Sequence, residues 1–107
     1  VALSYGSQHI VKDNQVFIRR AVGPGANNLA CIYAGNIPDL ILQDNIIIIK
    51  GANTSTSFTG LGAPGSGNYS AARMRVVDNI VRGFKSGYAV LMRNTALDKV
   101  VTGNITT

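Results

Sequence analysis

All the acidic side chains of this 107-residue sequence are aspartates: Asp13, Asp39, Asp44, Asp78 and Asp98, with no glutamate. Asp13, Asp44 and Asp78 each stand directly before an asparagine, and Asp39 and Asp98 each stand six residues before one. Recurrent carboxylates are the groups that hydrolyse glycosidic bonds. A retaining enzyme holds a nucleophile and an acid/base about 5 Å apart, and an inverting enzyme holds its pair at roughly 6.5–9.5 Å. Other chemistries lack their residues. His9 is the sole histidine and Cys31 the sole cysteine, so neither a zinc site nor a Cys–His dyad has the side chains it needs. Calcium could bind through aspartates and carbonyls, but no ligand loop is present. No cofactor is expected. Cys31 lies in an apolar run and reads as a buried thiol.

The elements that must position these acids are legible as a repeat. A hydrophobic run closed by asparagine recurs four times, at Ile10–Asn14, Ile41–Asn45, Arg75–Asn79 and Val100–Asn104. A second apolar stretch follows each asparagine: Val16 to Ile18, Ile46 to Ile49, Ile80-Val81 and Ile105. The asparagines are 31, 34 and 25 residues apart. A constant motif at variable spacing means a repeated core with variable loops, which is the pattern of a stacked solenoid. Each unit reads as strand, short turn, strand, Asn corner, strand, then a loop. Alternation along the strands places Val11, Leu42, Val76 and Val101 inside as one stack, and Val16, Ile47, Val81 and Thr106 as a second. The corner needs a left-handed residue, which is assigned to the asparagine because asparagine tolerates that conformation best among non-glycine residues. Stacked Asn amides are expected to hydrogen-bond along the axis. Ala30–Asn45 also matches Ala89–Asn104 without a gap, pairing Ile32 with Leu91 and Asp39 with Asp98.

Stacking converts sequence positions into distances. Neighbouring coils lie about 4.8 Å apart, so Asp44 and Asp78 are expected about 5 Å from each other, the separation of a retaining pair. Asp39 and Asp98 fall two coils apart, roughly 10 Å, with Arg73 between them. In a hydrolase Arg73 would orient or tune the acids, and in a lyase it could remove a proton beside a uronate carboxylate. The alternative is structural. An acid before a corner can hydrogen-bond turn amides, and an Asp39–Arg73–Asp98 stack can be a salt-bridge ladder.

The remainder of the sequence sets the class. Glycine is abundant at 12 residues and β-branched residues dominate the apolar set, which favours strands and turns over helices. The whole chain, 1–107, reads as one domain with a long Gly/Ser/Thr-rich loop insertion at 51–70. That loop contains Gly60-Leu61-Gly62-Ala63-Pro64-Gly65, which fits a dinucleotide pattern formally but has no helical periodicity after it, so it is read as a surface loop. Asn53-Thr54-Ser55, Asn68-Tyr69-Ser70 and Asn104-Ile105-Thr106 match the glycosylation pattern. No apolar run reaches the roughly 18 residues of a membrane span. The net charge of +5 favours an anionic partner, and the absence of a basic run interleaved with aromatics argues against nucleic acid. Ile10, Ile41, Val100, Ile46 and Ile80 should face outward as an apolar stripe, an expected protein interface. Tyr33, Tyr69 and Tyr88, with Arg93, are the candidate sugar-binding residues.

The stretch Val76-Val77-Asp78-Asn79-Ile80-Val81-Arg82-Gly83-Phe84-Lys85-Ser86-Gly87-Tyr88-Ala89-Val90-Leu91 resembles the coils of right-handed parallel β-helices of the pectate-lyase-like superfamily. Irregular coils with long Gly/Ser/Thr loops are similar, within it, to bacteriophage tailspikes and polysaccharide depolymerases. The resemblance implies about four coils of an all-β, right-handed parallel β-helix, a segment of a larger solenoid. It implies a homotrimer, or neighbouring coils of a longer chain, at an extracellular or virion-tail location. It implies a bacterial surface or acidic polysaccharide as partner. Asp39, Asp44, Asp78, Asp98 and Arg73 are then the catalytic candidates of a hydrolase or lyase. The alternative is a non-catalytic module for assembly, stability or glycan adhesion.

Overall fold

The computed structural model describes residues 2–3, 9–34, 39–63, 73–92 and 99–107. Eleven short strands account for just under half of them: β1 (Ala2–Leu3), β2 (Ile10–Lys12), β3 (Gln15–Ile18), β4 (Ala30–Ala34), β5 (Ile41–Gln43), β6 (Ile46–Ile49), β7 (Thr59–Ala63), β8 (Arg75–Val77), β9 (Ile80–Arg82), β10 (Val90–Met92) and β11 (Val100–Thr102). The one helical element among the described residues is a single 3₁₀ turn at Pro24–Ala26. All strand pairs are parallel and fall into three sheets: β1-β4-β7-β10, β2-β5-β8-β11 and β3-β6-β9. Consecutive strands visit the first, second and third sheets in rotation. The fold is all-β, parallel strands in three stacked sheets, an arrangement compatible with a parallel β-helix.

The expected core stacks are present apart from their last members, since Thr106, expected in the second, is exposed. Val11, Leu42, Val76 and Val101 share one register row of the second sheet, and Val16, Ile47 and Val81 share one row of the third. Leu42, Ile47, Val76 and Val81 are fully buried, whereas Val101 is 45 % exposed because β11 is the edge strand of its sheet. The four-isoleucine run of β6 is the middle strand of the third sheet, paired on both edges. Leu40 and Met74, just ahead of β5 and β8, complete the main cluster with Ile32, Leu61 and Ala89. A smaller cluster of Val22, Ile49 and Phe58 sits beside it, with the Phe58 and Phe84 rings 5.4 Å apart. Full burial of a Val, Leu or Ile side chain contributes about 1.5–3 kcal/mol each, so these rows are the main source of cohesion between strands too short to be stable alone.

Four expectations need correction. The left-handed residue of the corner is the one before the asparagine: Asp13 (φ 59°), Asp44 (φ 55°), Asp78 (φ 57°) and Gly103 (φ 70°). Aspartate tolerates this conformation as asparagine does, which leaves the asparagine free to face inward. The stretch read as a loop at 51–70 contains β7, a central strand of the first sheet, whose Leu61 is buried. Its glycines misled the reading. A Cβ on Gly60 would overlap Val81 Cγ1 and lie 2.7 Å from the Ala89 carbonyl, so glycine here marks a close approach within the core rather than a flexible loop. The gapless match of Ala30–Asn45 to Ala89–Asn104 slips by one in the first sheet, where Ile32 and Val90 both pair with Leu61. Finally, the outward apolar stripe is broken, because Arg75 lies between Ile41 and Val100 in register.

Candidate functional site

The outer face of the first sheet carries a groove of about 160 Å³, below the roughly 300–1,000 Å³ of pockets that enclose a drug-sized ligand. Its floor follows from register. Tyr33 on β4, Gly62 on β7 and Leu91 on β10 are direct neighbours across three strands, so a residue without a side chain stands between two large ones. Ala30 and Thr59, also paired, extend the floor, and Leu29, Tyr88, Asn28 and Ser57 come in from the preceding connections. Those connections are tied together. The Asn28 N–H donates to Ser57 Oγ (2.9 Å) and the Thr59 N–H to the Leu29 carbonyl (2.9 Å). The Tyr88 N–H donates to the Lys85 carbonyl (2.9 Å), and the Tyr88 carbonyl accepts from Gly60 N–H (3.0 Å). Two tyrosines, apolar walls and a few amide and hydroxyl groups make a surface suited to stacking a ring while hydrogen-bonding its rim.

Tyr33 and Tyr88, two of the expected sugar-binding residues, therefore meet in one groove. Tyr69 and Arg93 lie outside the described residues, as does Asp98. The remaining acids are elsewhere. Asp39 and Arg73 form a bidentate ion pair, Nε to Oδ1 at 2.5 Å and Nη2 to Oδ2 at 3.1 Å, between the first and second sheets. Both residues are left-handed, at φ 57° and 60°, two positions ahead of β5 and β8. The Arg73 hydrogen bonds hold the Asp39 carboxyl below its ordinary range, so it is a carboxylate rather than a proton donor. Asp44 and Asp78 stand one residue beyond the paired Gln43 and Val77, at the second-to-third corner. Their backbones therefore stand on neighbouring strands, which lie about 4.8 Å apart. Both are exposed, and neither lines the groove. The three-residue strand β5, at about 3.3 Å per residue, holds Asp39 away from Asp44. The acids form two separate ledges on either side of the second sheet.

The asparagines are accounted for by structure. Asn14, Asn45 and Asn79 each donate Nδ2 to the Oδ1 of the next asparagine at 2.9 Å, and each also donates its backbone N–H to the same oxygen. Two glycosylation patterns are thereby occupied: Asn104 is the last rung of this ladder, and Asn53 donates Nδ2 to the Gly83 carbonyl while Ser55 is buried and donates to Asn27 Oδ1. Asn68 lies outside the described residues.

Sequence reasoning missed Asn28, Leu29, Ala30, Ser57, Thr59, Gly62 and Leu91 as groove residues. The signal lay in the alternating Thr59-Gly60-Leu61-Gly62-Ala63, readable as a strand once glycine is allowed where backbones approach closely. Comparison with protein-family models, with curated proteins and with solved structures yields no match to this chain, so its own geometry carries the functional argument.

Proposed function

We propose that this chain is a segment of right-handed parallel β-helix that binds a glycan, with Tyr33 and Tyr88 as its stacking platform. The observation that carries this reading is the meeting of two tyrosines, one on β4 and one just ahead of β10, six strands later in the chain, around the notch left by Gly62. Flat, exposed arrays of parallel strands offer a polymer a long regular surface, and aromatic faces bind the apolar faces of sugars with modest loss of side-chain entropy. The groove lacks a carboxylate among its described lining residues, which favours adhesion over cleavage at that place. The resemblance to tailspikes and pectate-lyase-like proteins supports the same class of partner and suggests a homotrimer.

A second reading is a polysaccharide depolymerase acting through Asp44 and Asp78, supported by their strand-spaced register and exposure. One experiment separates the two. The purified chain, its mass fixed by light scattering, is titrated with a panel of neutral and acidic polysaccharides while reducing ends and unsaturated-uronate absorbance are followed. Binding without either product, abolished by Tyr33→Ala/Tyr88→Ala, is the expected result. New reducing ends lost in Asp44→Asn would establish a hydrolase, and absorbance would establish a lyase. No binding to any glycan by the folded protein would refute both.

A further inference from the structure

The charges of this protein are sorted by the fold. Ten Lys and Arg residues accompany five Asp. Asp39 lies between the first and second sheets, and Asp13, Asp44 and Asp78 lie between the second and third. Asp98 precedes β11 in the chain and so belongs to no connection from the third sheet to the first. Those connections, spanning 19–29, 50–58 and 83–89, contain no acidic residue. Each begins on cations instead: Arg19 and Arg20 after β3, Lys50 after β6, and Arg82 at the end of β9 followed by Lys85.

Register gathers these cations along one edge. Ile18 pairs with Ile49 and the Lys50 N–H donates to the Ile18 carbonyl, which sets Arg19 beside Lys50; Arg82 pairs with Ile48, two residues before Lys50. Arg19 and Lys50 therefore lie about 4.8 Å apart along the stacking direction, and Arg82 stands two residues, about 6.6 Å, to one side of that row. All five side chains are exposed, and the ion pairs of the described residues, Lys12–Asp13 and Arg73–Asp39, involve none of them. Lys50 lies over the Phe17 ring at 5.9 Å. Like charges on adjacent strands repel, and none of the ion pairs among the described residues offsets the repulsion. This basic edge also leads into the groove, since Lys85 and Tyr88 share one hydrogen-bonded turn.

We infer that the glycan taken by this protein is anionic, and that Arg19, Lys50, Arg82 and Lys85 bind its carboxylate or sulfate groups at the edge where the third sheet passes into the first. This rests on the glycan-binding reading and adds the charge of the ligand and a second contact surface. An extended acidic polysaccharide running along the stacking direction presents anionic groups to successive strands. Duplex nucleic acid spaces its phosphates at about 3.4 Å along each strand, and single strands are held by aromatic platforms repeated along the groove. Among the described residues, the one ring with a cation–π contact to these side chains is Phe17, under Lys50, which is not a repeated platform.

The test compares alginate, a uronate polymer, with its neutral esterified form and with oligothymidylate, by calorimetry at two salt concentrations. Arg19→Gln/Lys50→Gln/Arg82→Gln/Lys85→Gln is run beside Tyr33→Ala/Tyr88→Ala, with circular dichroism to show that each is folded. The expected result is alginate binding that weakens with salt, falls at least about tenfold in the quadruple variant, and exceeds binding of the ester by a similar factor. Equal binding of alginate and ester, untouched by the quadruple variant but lost in the tyrosine variant, overturns this inference and leaves the groove reading standing. Tighter binding of oligothymidylate than of alginate also overturns it. If no glycan binds the folded wild-type chain, the groove reading fails and this inference with it.

Discussion

The backbone N–H and the Nδ2 of Asn45 both donate to a single atom, Asn79 Oδ1, at 3.0 and 2.9 Å, and neither residue is exposed to solvent. Asn79 in turn donates to the Leu42 carbonyl (3.0 Å) and to Asn104 Oδ1 (2.9 Å). Each buried rung satisfies backbone groups that the bend between the second and third sheets would otherwise strand. Asn79→Ala leaves both Asn45 donors and the Leu42 carbonyl without these partners. At about 1–3 kcal/mol for each buried group left unsatisfied, the loss should reach at least about 3 kcal/mol by urea denaturation. Asn14, on the outermost strand, is half-buried, and Asn14→Ala should cost about 1 kcal/mol. Equal losses at the two positions would refute the ladder as a source of stability.

The left-handed corners give the aspartates a conformational role that is separable from their charge. Asp44 sits at φ 55°, in a region that costs most L-residues roughly 1–2 kcal/mol. Asp44→Asn and Asp44→Gly should unfold within about 0.5 kcal/mol of wild type, and Asp44→Ala should lose about 1 kcal/mol. Because Asp44→Asn keeps the backbone preference and deletes the charge, any loss of glycan cleavage in that variant reports chemistry rather than folding.

The Asp39–Arg73 pair predicts a pH dependence. Arg73 lowers the Asp39 pKa through its hydrogen bonds first and its charge second. A depressed folded-state pKa means stability present above the unfolded value, about 3.9, and lost as pH falls through the folded value. Carboxyl-carbon NMR should place the Asp39 midpoint below that of a free aspartate, and Arg73→Gln should move it upward. An unchanged midpoint in the variant would show that the pair does not set it.

Gly60 tests whether the glycine-rich stretch is core or loop. A methyl group there would overlap Val81 and approach the Ala89 carbonyl and the Phe84 ring. Gly60→Ala should therefore destabilise by about 1–3 kcal/mol, the cost of overpacking. Gly25, with nothing near its added Cβ, should accept alanine with a change below about 0.5 kcal/mol in the same thermal melts.

Burial pushes the Cys31 thiol up to about 11. At pH 8 about one thiol in a thousand would be ionised, and only the thiolate reacts. Native Cys31 should react with a disulfide reagent about two orders of magnitude more slowly than the urea-unfolded chain. A comparable rate in the native protein would mean that the site opens readily.

The sequence by itself determined the repeat. Asn14, Asn45, Asn79 and Asn104 marked four equivalent corners, and the alternation around them identified Leu42, Val76, Ile47 and Val81 as interior. These features are local: a bend demands a particular residue, and a strand's period of two separates its faces. It also placed Asp39 beside Arg73 and Asp44 beside Asp78, because offsets from the asparagine become neighbours when strands stack in register. Only the tertiary structure decided the rest. Which corner residue turns left-handed, Asp44 rather than Asn45, depends on the ladder claiming the asparagine amide. That Thr59–Ala63 is a central strand depends on how near Val81 and Ala89 come to Gly60, and the one-residue slip pairing Val90 with Leu61 depends on the length of a connection. The groove follows from both, since Gly62 lies between Tyr33 and Leu91 only in that register. Close approach and register are properties of strands distant in the chain, and local residue preferences carry no record of them.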